Sequence, residues 1–278
     1  MLIPLAPVAE HAARAGTGLG AFNVIHLENA ATFISAAERA GRPVVLQISQ
    51  NAVAYHGGDL RPIGLGTLAA AREADVDVVV HLDHATDEDL CRQAIDLGFT
   101  SVMYDGSTLP DAENREATAR VVAYAHERGV SVEAELGEVG GKDGVHDPSA
   151  RTDPADAAQF VADTGVDLLA VAVGSSHAMT TRGAELDLER ITAIRDALDI
   201  PLVLHGSSGV SDAGMVAAIR AGMTKINVST HLTKVFTETV REVLAENPEL
   251  VDTRKWFTPA AQAQGAEAER LLRLYATA

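Results

Sequence analysis

Cysteine and long apolar runs are both scarce in this chain of 278 residues. Cys91 is the only cysteine, so no disulfide forms within the chain, and a reducing compartment is favoured. No apolar stretch approaches the ~20 residues that cross a bilayer, and the N-terminus shows no basic segment followed by an apolar one. We therefore predict a cytoplasmic protein with no membrane span and no signal peptide.

Positive charge is also in short supply. The sequence has 22 Lys and Arg residues against 39 Asp and Glu, which gives a formal net charge of −17. An acidic surface repels phosphate backbones and anionic lipids, so the composition argues against a nucleic-acid or membrane partner. A small anionic substrate remains compatible with this charge where a local site supplies the hydrogen-bond donors.

Short apolar runs alternate with Ala-rich amphipathic stretches along most of the chain. The apolar runs are nearly continuous, which is typical of parallel strands buried on both faces. Eight strand–helix units in about 245 residues predict a (β/α)8 TIM barrel. A doubly wound open sheet is the alternative, but no glycine-rich phosphate turn follows the first run. The predicted strands are Gly18–Val24, Pro43–Ser49, Val76–Asp83, Ser101–Gly106, Val130–Gly137, Asp167–Gly174, Pro201–Gly206 and Lys225–Thr230.

The domain organisation follows from the same pattern. We predict a single domain, with the barrel in residues 1–246 and a C-terminal helical tail in residues 247–278. The tail is expected to end in a short helix near Gln264–Tyr275. We expect it to pack on the barrel or on a neighbouring subunit.

Chemistry-bearing side chains collect at the predicted carboxyl ends of the strands, where (β/α)8 barrels build their active sites. A lone histidine there is commonly structural, but three imidazoles with an open fourth position are typical of a catalytic zinc site. His81 shares a strand face with Asp83 and is interpreted as a core or supporting residue. The residues that predict the metal site are His84, His177 and His205, with Asp83, Asp105 and Glu135 beside them.

Small residues dominate the loops after the seventh and eighth predicted strands. The segments Gly206–Gly209 and Asn227–Thr230 lie where this architecture commonly binds phosphate, and small side chains let backbone N–H groups approach an anion. A GSSG string by itself is often only a turn, but its position here predicts a phosphate site. Asn23 and Ser49, at the ends of the first two strands, are predicted to contact the substrate.

The segment after the fifth predicted strand is rich in glycine. Gly137–Gly144 carries four glycines in eight residues together with Asp143. It is interpreted either as a mobile lid that carries a charged residue over the site or as a long solvated loop.

These motifs, taken in order, resemble the class II (zinc-dependent) ketose-bisphosphate aldolases, which include the fructose- and tagatose-bisphosphate enzymes. The resemblance covers nearly the whole chain and implies a lyase of carbohydrate metabolism, including glycolysis, that binds dihydroxyacetone phosphate. It also implies a homodimer or homotetramer. The matching blocks are residues 21–24, 81–84, 101–107, 133–137 with 140–141, 174–177, 204–209 and 225–230.

The resemblance also assigns roles to individual residues. It implies that His84, His177 and His205 hold the zinc, while Asp105 and Glu135 serve an alternative or second cation, divalent or monovalent. Asp83 matches the catalytic aspartate, and Asp143 stands at the position of the lid carboxylate. Arg254 resembles an arginine that binds the distal phosphate, often across a subunit interface. The implied phosphate-binding residues are Ala178, Gly206, Ser207, Ser208, Asn227, Val228, Ser229 and Thr230.

The sequence departs from the family pattern at four positions. Ala178 replaces a glycine, Asp143 replaces a glutamate, His26 replaces an asparagine, and Ser229 stands where fructose-bisphosphate enzymes often have aspartate. The ketose is therefore left open between a fructose or tagatose 1,6-bisphosphate and a related phosphorylated deoxy sugar.

Three other functions fit the sequence less well than metal-dependent aldol chemistry does. A Schiff-base aldolase needs a lysine, but Lys225 is the only lysine on a predicted strand and stands at the wrong end of it. A metal-dependent barrel hydrolase commonly takes a His-x-His pair from its first strand, which is missing here. A non-catalytic binding protein has no need for proton-transfer groups such as Asp83 and Asp143.

Overall fold

Eight parallel strands form the centre of the protein. The computed structural model describes residues 1–136, 151–176 and 179–277. Each strand pairs with its neighbours in sequence, and the first pairs with the eighth, so the sheet closes into a barrel. The strands are β1 (Leu19–Asn23), β2 (Val44–Ser49), β3 (Val78–Ala85), β4 (Ser101–Tyr104), β5 (Ser131–Leu136), β6 (Leu168–Val171), β7 (Leu202–Leu204) and β8 (Met223–Val228).

Helices alternate with these strands and surround them. The predicted (β/α)8 barrel is confirmed, and each predicted strand is present with bounds within three residues of the prediction. In the described part of the chain, no helix is both long and apolar enough to cross a membrane. The helices are α1 (Leu5–Ala15), α2 (Leu27–Ala40), α3 (Gln50–Tyr55), α4 (Leu60–Arg72), α5 (Glu88–Leu97), α6 (Asp111–His126), α7 (Pro154–Thr164), α8 (Leu188–Ala197), α9 (Asp212–Ala221), α10 (Thr230–Glu246) and α11 (Arg254–Tyr275).

Local sequence signals explain where individual helices begin and end. At the start of α7, the Asp153 side chain accepts hydrogen bonds from the backbone N–H groups of Ala155 and Asp156, and Pro154 occupies the first helical position. The helix ends at Gly165, whose φ of +71° is unfavourable for residues with a Cβ. These signals set the two ends of α7, which lies between β5 and β6.

The floor of the barrel, at the amino ends of the strands, is apolar and is closed by α1. The backbone N–H of Ala6 donates to Ser131 Oγ of β5 at 2.9 Å, which ties this helix to the barrel. Sequence analysis did not predict α1, because its apolar face finds its partners only in the assembled barrel. The floor consists of Leu5, Ala9, Ala12, Leu19, Ala21, Val45, Val79, Leu168, Ala170 and Val203.

The C-terminal helix is longer than predicted. It begins at Arg254 rather than near Gln264, and it contains both Pro259 and Gly265. It packs against α2 and α10, and a Cβ on Gly265 would lie 3.1 Å from Thr32 Cγ2. A glycine at this position therefore permits close approach of α11 to α2. Tyr275, at the end of the helix, is buried against Gly18.

Candidate active site

An irregularity in β3 aims two successive side chains at the site. Successive residues of a regular strand point to opposite faces, so Asp83 and His84 could not both face the barrel interior in regular structure. The pairing of β3 with β4 shifts register between Leu82 and Ala85, and His84 has a φ of +49°. This bulge, one residue long, lets neighbours in sequence share one site.

Side-chain amides surround the Asp83 carboxylate. Asn23 Nδ2 donates to Asp83 Oδ2 at 3.3 Å, and Asn227 Nδ2 donates to Asp83 Oδ1 at 3.3 Å. Gln47 Nε2 lies 3.5 Å from Asp83 Oδ2 and 2.8 Å from Asn23 Oδ1. Burial alone would raise the pKa of Asp83, but the charges of His84 and Lys225 outweigh it and lower that pKa. The carboxylate is thus oriented by three residues and favoured in its ionised form.

Imidazole and carboxylate groups meet beside Asp83. The ring centroids of His84 and His205 lie 4.5 Å apart. His84 Nδ1 is 2.7 Å from Asp105 Oδ2, and His205 Nδ1 is 2.9 Å from Glu135 Oε2. Ser107 Oγ donates to the other oxygen of Asp105 at 2.6 Å, which orients this carboxylate toward His84.

These donors fit a divalent cation. Asp83, His84 and His205 offer ligand atoms within 4.8 Å of one another, and so do His84, Asp105 and Glu135. Two imidazoles with flanking carboxylates form the mixed nitrogen and oxygen donor set that Zn²⁺ accepts. The described residues therefore provide a candidate metal centre at the mouth of the barrel.

Below this centre lies a layer of buried charge. Glu133 Oε1 is 3.1 Å from His205 Nε2, and Glu133 Oε2 is 2.8 Å from Lys225 Nζ. Burial would raise the pKa of Glu133, but the Lys225 ammonium and the hydrogen bond with His205 outweigh burial and hold it well below its usual range. Burial would lower the pKa of His205, but its hydrogen bonds with Glu133 and Glu135 outweigh burial and raise it to about 9.

His81 completes the buried layer. Its Nδ1 is 2.8 Å from Ser101 Oγ, and its Nε2 is 3.7 Å from Glu133 Oε2. Burial, reinforced by the Lys225 charge, lowers the pKa of His81 to about 3, so this imidazole is neutral at pH 7. The residue lies in the barrel interior rather than at the mouth.

The loop after β7 and the start of α10 form the other side of the site. Gly206 has a φ of +66°, and a Cβ there would lie 2.6 Å from backbone atoms of Ser176. Ser207 Oγ donates to the Asn227 carbonyl, and Ser208 Oγ accepts from the backbone N–H of His231 at 3.1 Å. The side chain of Ser229 does not cap helix α10, so the helix can offer the backbone N–H of its first residue, Thr230, to an anion.

A cavity of about 200 Å³ connects the amide-held carboxylate to this loop. Most of the predicted substrate-binding residues line it, whereas Val228 is a buried strand residue beside it and is not among the lining residues. The lining residues are Asn23, Gln47, Ser49, Asp83, His84, Gly206, Ser207, Ser208, Asn227, Ser229 and Thr230.

Other predicted site residues lie elsewhere. Arg254 is exposed at the start of α11, where its guanidinium pairs with Asp252 at 3.0 Å, and it does not line the cavity. His177, Ala178 and Asp143 fall outside the described residues, as does the whole glycine-rich segment Gly137–Gly144.

Sequence analysis missed Gln47, gave Glu133 no role in the site and placed Lys225 at the far end of the barrel. Gln47 is two residues before Ser49 on β2, so strand alternation was the signal that could have found it. Glu133 has the same relation to Glu135 on β5. Lys225 lies on β8 two residues before Asn227, and its side chain reaches the charged layer instead of remaining at the far end of the barrel.

Fold and site together define a (β/α)8 barrel with a candidate metal centre at the carboxyl ends of its strands. The family model described as fructose-bisphosphate aldolase class-II matches residues 4–278. The chain belongs to the class II fructose-bisphosphate aldolase family and is an aldolase, a lyase of carbon–carbon bonds. This family is generally metal-dependent and acts on phosphorylated sugars.

Individual relatives cover nearly the whole chain. A fructose-bisphosphate aldolase from Geobacillus stearothermophilus is 40% identical over 265 residues, which are 94% of this chain and 92% of the relative. One from Staphylococcus epidermidis is 39% identical over 251 residues, 89% of this chain and 88% of the relative. The crystal structure of the YdjI aldolase from Escherichia coli K12 aligns with a TM-score of 0.86 at 31% identity, covering 99% of this chain and 97% of that one.

Proposed function

We propose that this aldolase catalyses the reversible cleavage of a ketose 1,6-bisphosphate, of the fructose or tagatose type, to dihydroxyacetone phosphate and an aldehyde. The observation that carries the proposal is the Asp83 carboxylate, held by amides of Asn23 and Asn227 in a cavity that it shares with His84. An oriented, ionised carboxylate suits proton transfer to and from a sugar hydroxyl. The naming of the curated relatives as fructose-bisphosphate aldolases supports the fructose type.

Zn²⁺ is the proposed cofactor. His84 and His205 would hold it, and His177 is retained as the third ligand from the sequence resemblance. Asp105 and Glu135 would serve a second position, for a divalent or a monovalent cation. When bound, the zinc would polarise the ketose carbonyl as a Lewis acid and stabilise negative charge on its oxygen.

The protein groups divide the proton transfers between them. In cleavage, Asp83 takes the proton of the C4 hydroxyl while the C3–C4 bond breaks and its electron pair moves toward the carbonyl. Asp143 then returns a proton to C3, which completes dihydroxyacetone phosphate. In condensation the two groups act in reverse, so Asp143 removes the C3 proton and Asp83 protonates the new alkoxide.

The substrate phosphates are assigned to different parts of the chain. Backbone N–H groups of Gly206–Ser208, of Asn227–Thr230 and of Ala178 would bind the phosphate of the dihydroxyacetone half. Neutral backbone donors explain how a chain with a formal net charge of −17 accepts an anion. Arg254 would bind the distal phosphate in a neighbouring subunit of a homodimer or homotetramer, which agrees with its exposure outside the cavity. We place the enzyme in the cytoplasm.

A panel assay tests the proposal. Purified protein is given fructose 1,6-bisphosphate, tagatose 1,6-bisphosphate or a related phosphorylated deoxy sugar, and triose phosphate release is followed by coupled NADH oxidation. We expect cleavage of at least one bisphosphate, its loss after chelation and its return with Zn²⁺. Activity that persists in metal-free protein would contradict the zinc assignment. Release of inorganic phosphate without triose phosphate would instead indicate a hydrolase.

A further inference from the structure

The buried layer beneath the site carries an inference about the metal ligand His205. Glu133 and Lys225 are completely buried, and neither lines the cavity. Burying an ion pair inside a barrel is expensive, and the pair is often no more stabilising than apolar residues of similar volume. Fold stability is therefore a weak explanation for its presence, and its contacts with the site offer a stronger one.

The contacts form a chain that ends at His205. Lys225 Nζ lies 2.8 Å from one oxygen of Glu133, and the other oxygen lies 3.1 Å from His205 Nε2. An ammonium group only donates hydrogen bonds and an ionised carboxylate only accepts them. Nε2 of His205 must therefore carry the hydrogen that Glu133 accepts.

The opposite nitrogen of the same ring faces the site. His205 Nδ1 is 2.9 Å from Glu135, which shares a possible ligand cluster with His84 and Asp105, so a metal bound in this cluster would displace the hydrogen that Nδ1 donates to Glu135. A metal-bound histidine commonly donates its other ring N–H to a carboxylate, which fixes the ring orientation and the tautomer. Glu133, deeper in the barrel, is the carboxylate that accepts the Nε2 hydrogen of His205.

We propose that Lys225 and Glu133 form a positioning pair that fixes His205 with its hydrogen on Nε2 and presents Nδ1 to the metal. The inference rests on the proposed metal site and adds two positioning residues to it. Lys225 acts through Glu133, because its ammonium holds the carboxylate with one oxygen facing His205. Neither residue touches the substrate cavity.

The pair makes an unusual prediction for Glu133→Gln. With Lys225 present, the amide oxygen of the glutamine faces the ammonium, so its NH₂ group faces His205 Nε2. That nitrogen then has to accept, the ring hydrogen moves to Nδ1, and the metal loses its ligand. We expect Zn²⁺ affinity to fall about 10–100-fold, the usual effect of losing such a supporting contact.

Removing the ammonium should reverse this defect. In the double variant Glu133→Gln/Lys225→Met, the glutamine is free to turn its oxygen toward His205 Nε2. Its NH₂ group can then donate toward His81 Nε2, which is buried without a hydrogen-bond partner and lies 3.7 Å from Glu133 Oε2. We expect the double variant to bind Zn²⁺ more tightly than the single variant Glu133→Gln.

The experiment measures Zn²⁺ binding to each full-length protein by chelator competition, with Co²⁺ absorption spectra as a second report on site geometry. Glu267→Gln is the matched control, because Glu267 Oε1 lies 2.6 Å from His231 Nε2 away from the metal centre. It should leave Zn²⁺ affinity unchanged. Far-UV circular dichroism establishes that each variant is folded.

The outcomes separate this inference from the proposed function. If wild-type protein binds no Zn²⁺, the metal assignment and the positioning pair are both wrong. If wild-type protein binds Zn²⁺ and Glu133→Gln binds it equally well, or the double variant binds it more weakly than Glu133→Gln, only the positioning pair is overturned.

A test without a Glu133 variant covers the case in which that variant does not fold. The ¹⁵N imidazole spectrum of zinc-loaded wild-type protein, assigned with His205→Gln, should show Nε2 protonated and Nδ1 bound to metal. A zinc-bound Nε2, or a hydrogen on Nδ1, would overturn the proposal.

Discussion

His84 is a candidate metal ligand whose backbone conformation is unfavourable. Its φ of +49° lies in the left-handed region, which costs residues with a Cβ roughly 1–2 kcal/mol. Asparagine tolerates this region better than most residues because its side chain can hydrogen-bond to the local backbone. The conformation is thus a cost of placing Asp83 and His84 in one site.

We therefore expect His84→Asn and His84→Ala to lose Zn²⁺ alike but to differ in stability. In metal-free protein, the asparagine variant should exceed the alanine variant by about 1 kcal/mol in free energy of unfolding, because it relieves more of the left-handed cost. Urea unfolding in the presence of chelator measures this difference. Equal stabilities would mean that the bulge is not strained at His84.

Substitutions of Asp83 and of Ser208 should impair different steps of the reaction. Asp83→Ala removes the group assigned to the C4 hydroxyl, so cleavage should fall by roughly 10²–10⁴. Zinc binding and exchange of the dihydroxyacetone phosphate C3 proton with solvent should persist, because the proposal assigns the zinc to His84, His177 and His205 and the exchange to Asp143.

Ser208 supplies the comparison. Replacing Ser208 with a larger or apolar residue should weaken dihydroxyacetone phosphate binding and slow exchange together with cleavage, since a misplaced substrate loses positioning in both steps. The test is to measure the rate of isotope exchange and the rate of cleavage on the same preparation of each variant. Loss of exchange in zinc-loaded Asp83→Ala, as severe as its loss of cleavage, would refute the division between Asp83 and Asp143.

At the scale of elements, a network of charged side chains joins α11 to the start of α10 and to α9, behind the loop and helix start that form the proposed phosphate site. Glu267 lies 2.6 Å from His231 at the start of α10 and 2.8 Å from Arg270, which in turn pairs with Asp212 of α9 at 2.7 Å. Burial would raise the pKa of Glu267, but hydrogen bonds from Arg270 and His231 outweigh it and lower the pKa to about 2. The helix therefore depends on an ionised carboxylate.

The sign of the pH dependence follows from this lowered pKa. The contribution of Glu267 to stability is complete above its unfolded-state pKa of 4.5 and is lost as pH falls from there through about 2. Wild type should exceed Glu267→Gln in free energy of unfolding at pH 7, and the gap should narrow at about pH 3. Urea unfolding at both pH values checks this. A gap independent of pH would show that Glu267 acts by packing alone.

Elements were predictable from sequence where their signals are local. The continuous apolar runs identified all eight strands, and the polar residues at the ends of those strands identified most of the cavity lining. Helix α1 and the first half of α11 escaped prediction, because their burial depends on surfaces that exist only after folding. The bulge at His84 escaped for the same reason, since nothing in the string Asp83-His84-Ala85 marks a register shift.

At the scale of the whole molecule, the charge imbalance should make stability depend on salt. With a formal net charge of −17, the excess negative side chains repel one another in the folded protein. Exposed ion pairs contribute only ~0–1 kcal/mol each to the free energy of unfolding. Repulsion among the negative side chains should therefore affect stability more than the surface ion pairs do. Raising NaCl from about 10 mM to about 150 mM shortens the screening length from ~30 Å to ~8 Å and should increase the free energy of unfolding.

The matched control reduces the charge at two exposed positions. Glu246, the last residue of α10, and Glu249, which follows that helix, are both exposed, and Glu246→Gln/Glu249→Gln lowers the magnitude of the net charge by two. The salt dependence of this variant should be shallower than that of wild type. Unfolding that becomes easier as NaCl is added would show that ion pairs outweigh self-repulsion.

The apolar floor has a consequence for the order of events during synthesis. Helix α1 is synthesised before the strands of the barrel, yet its partners Leu168, Ala170 and Val203 lie about 150 to 200 residues further along the chain, as their numbers show. Contacts so distant in sequence form late, because the long intervening segment must first be closed. Helix α1 is therefore made before the strands that it contacts but docks only after they have paired. A fluorescent probe on α1 would report completion of the barrel rather than the beginning of its folding.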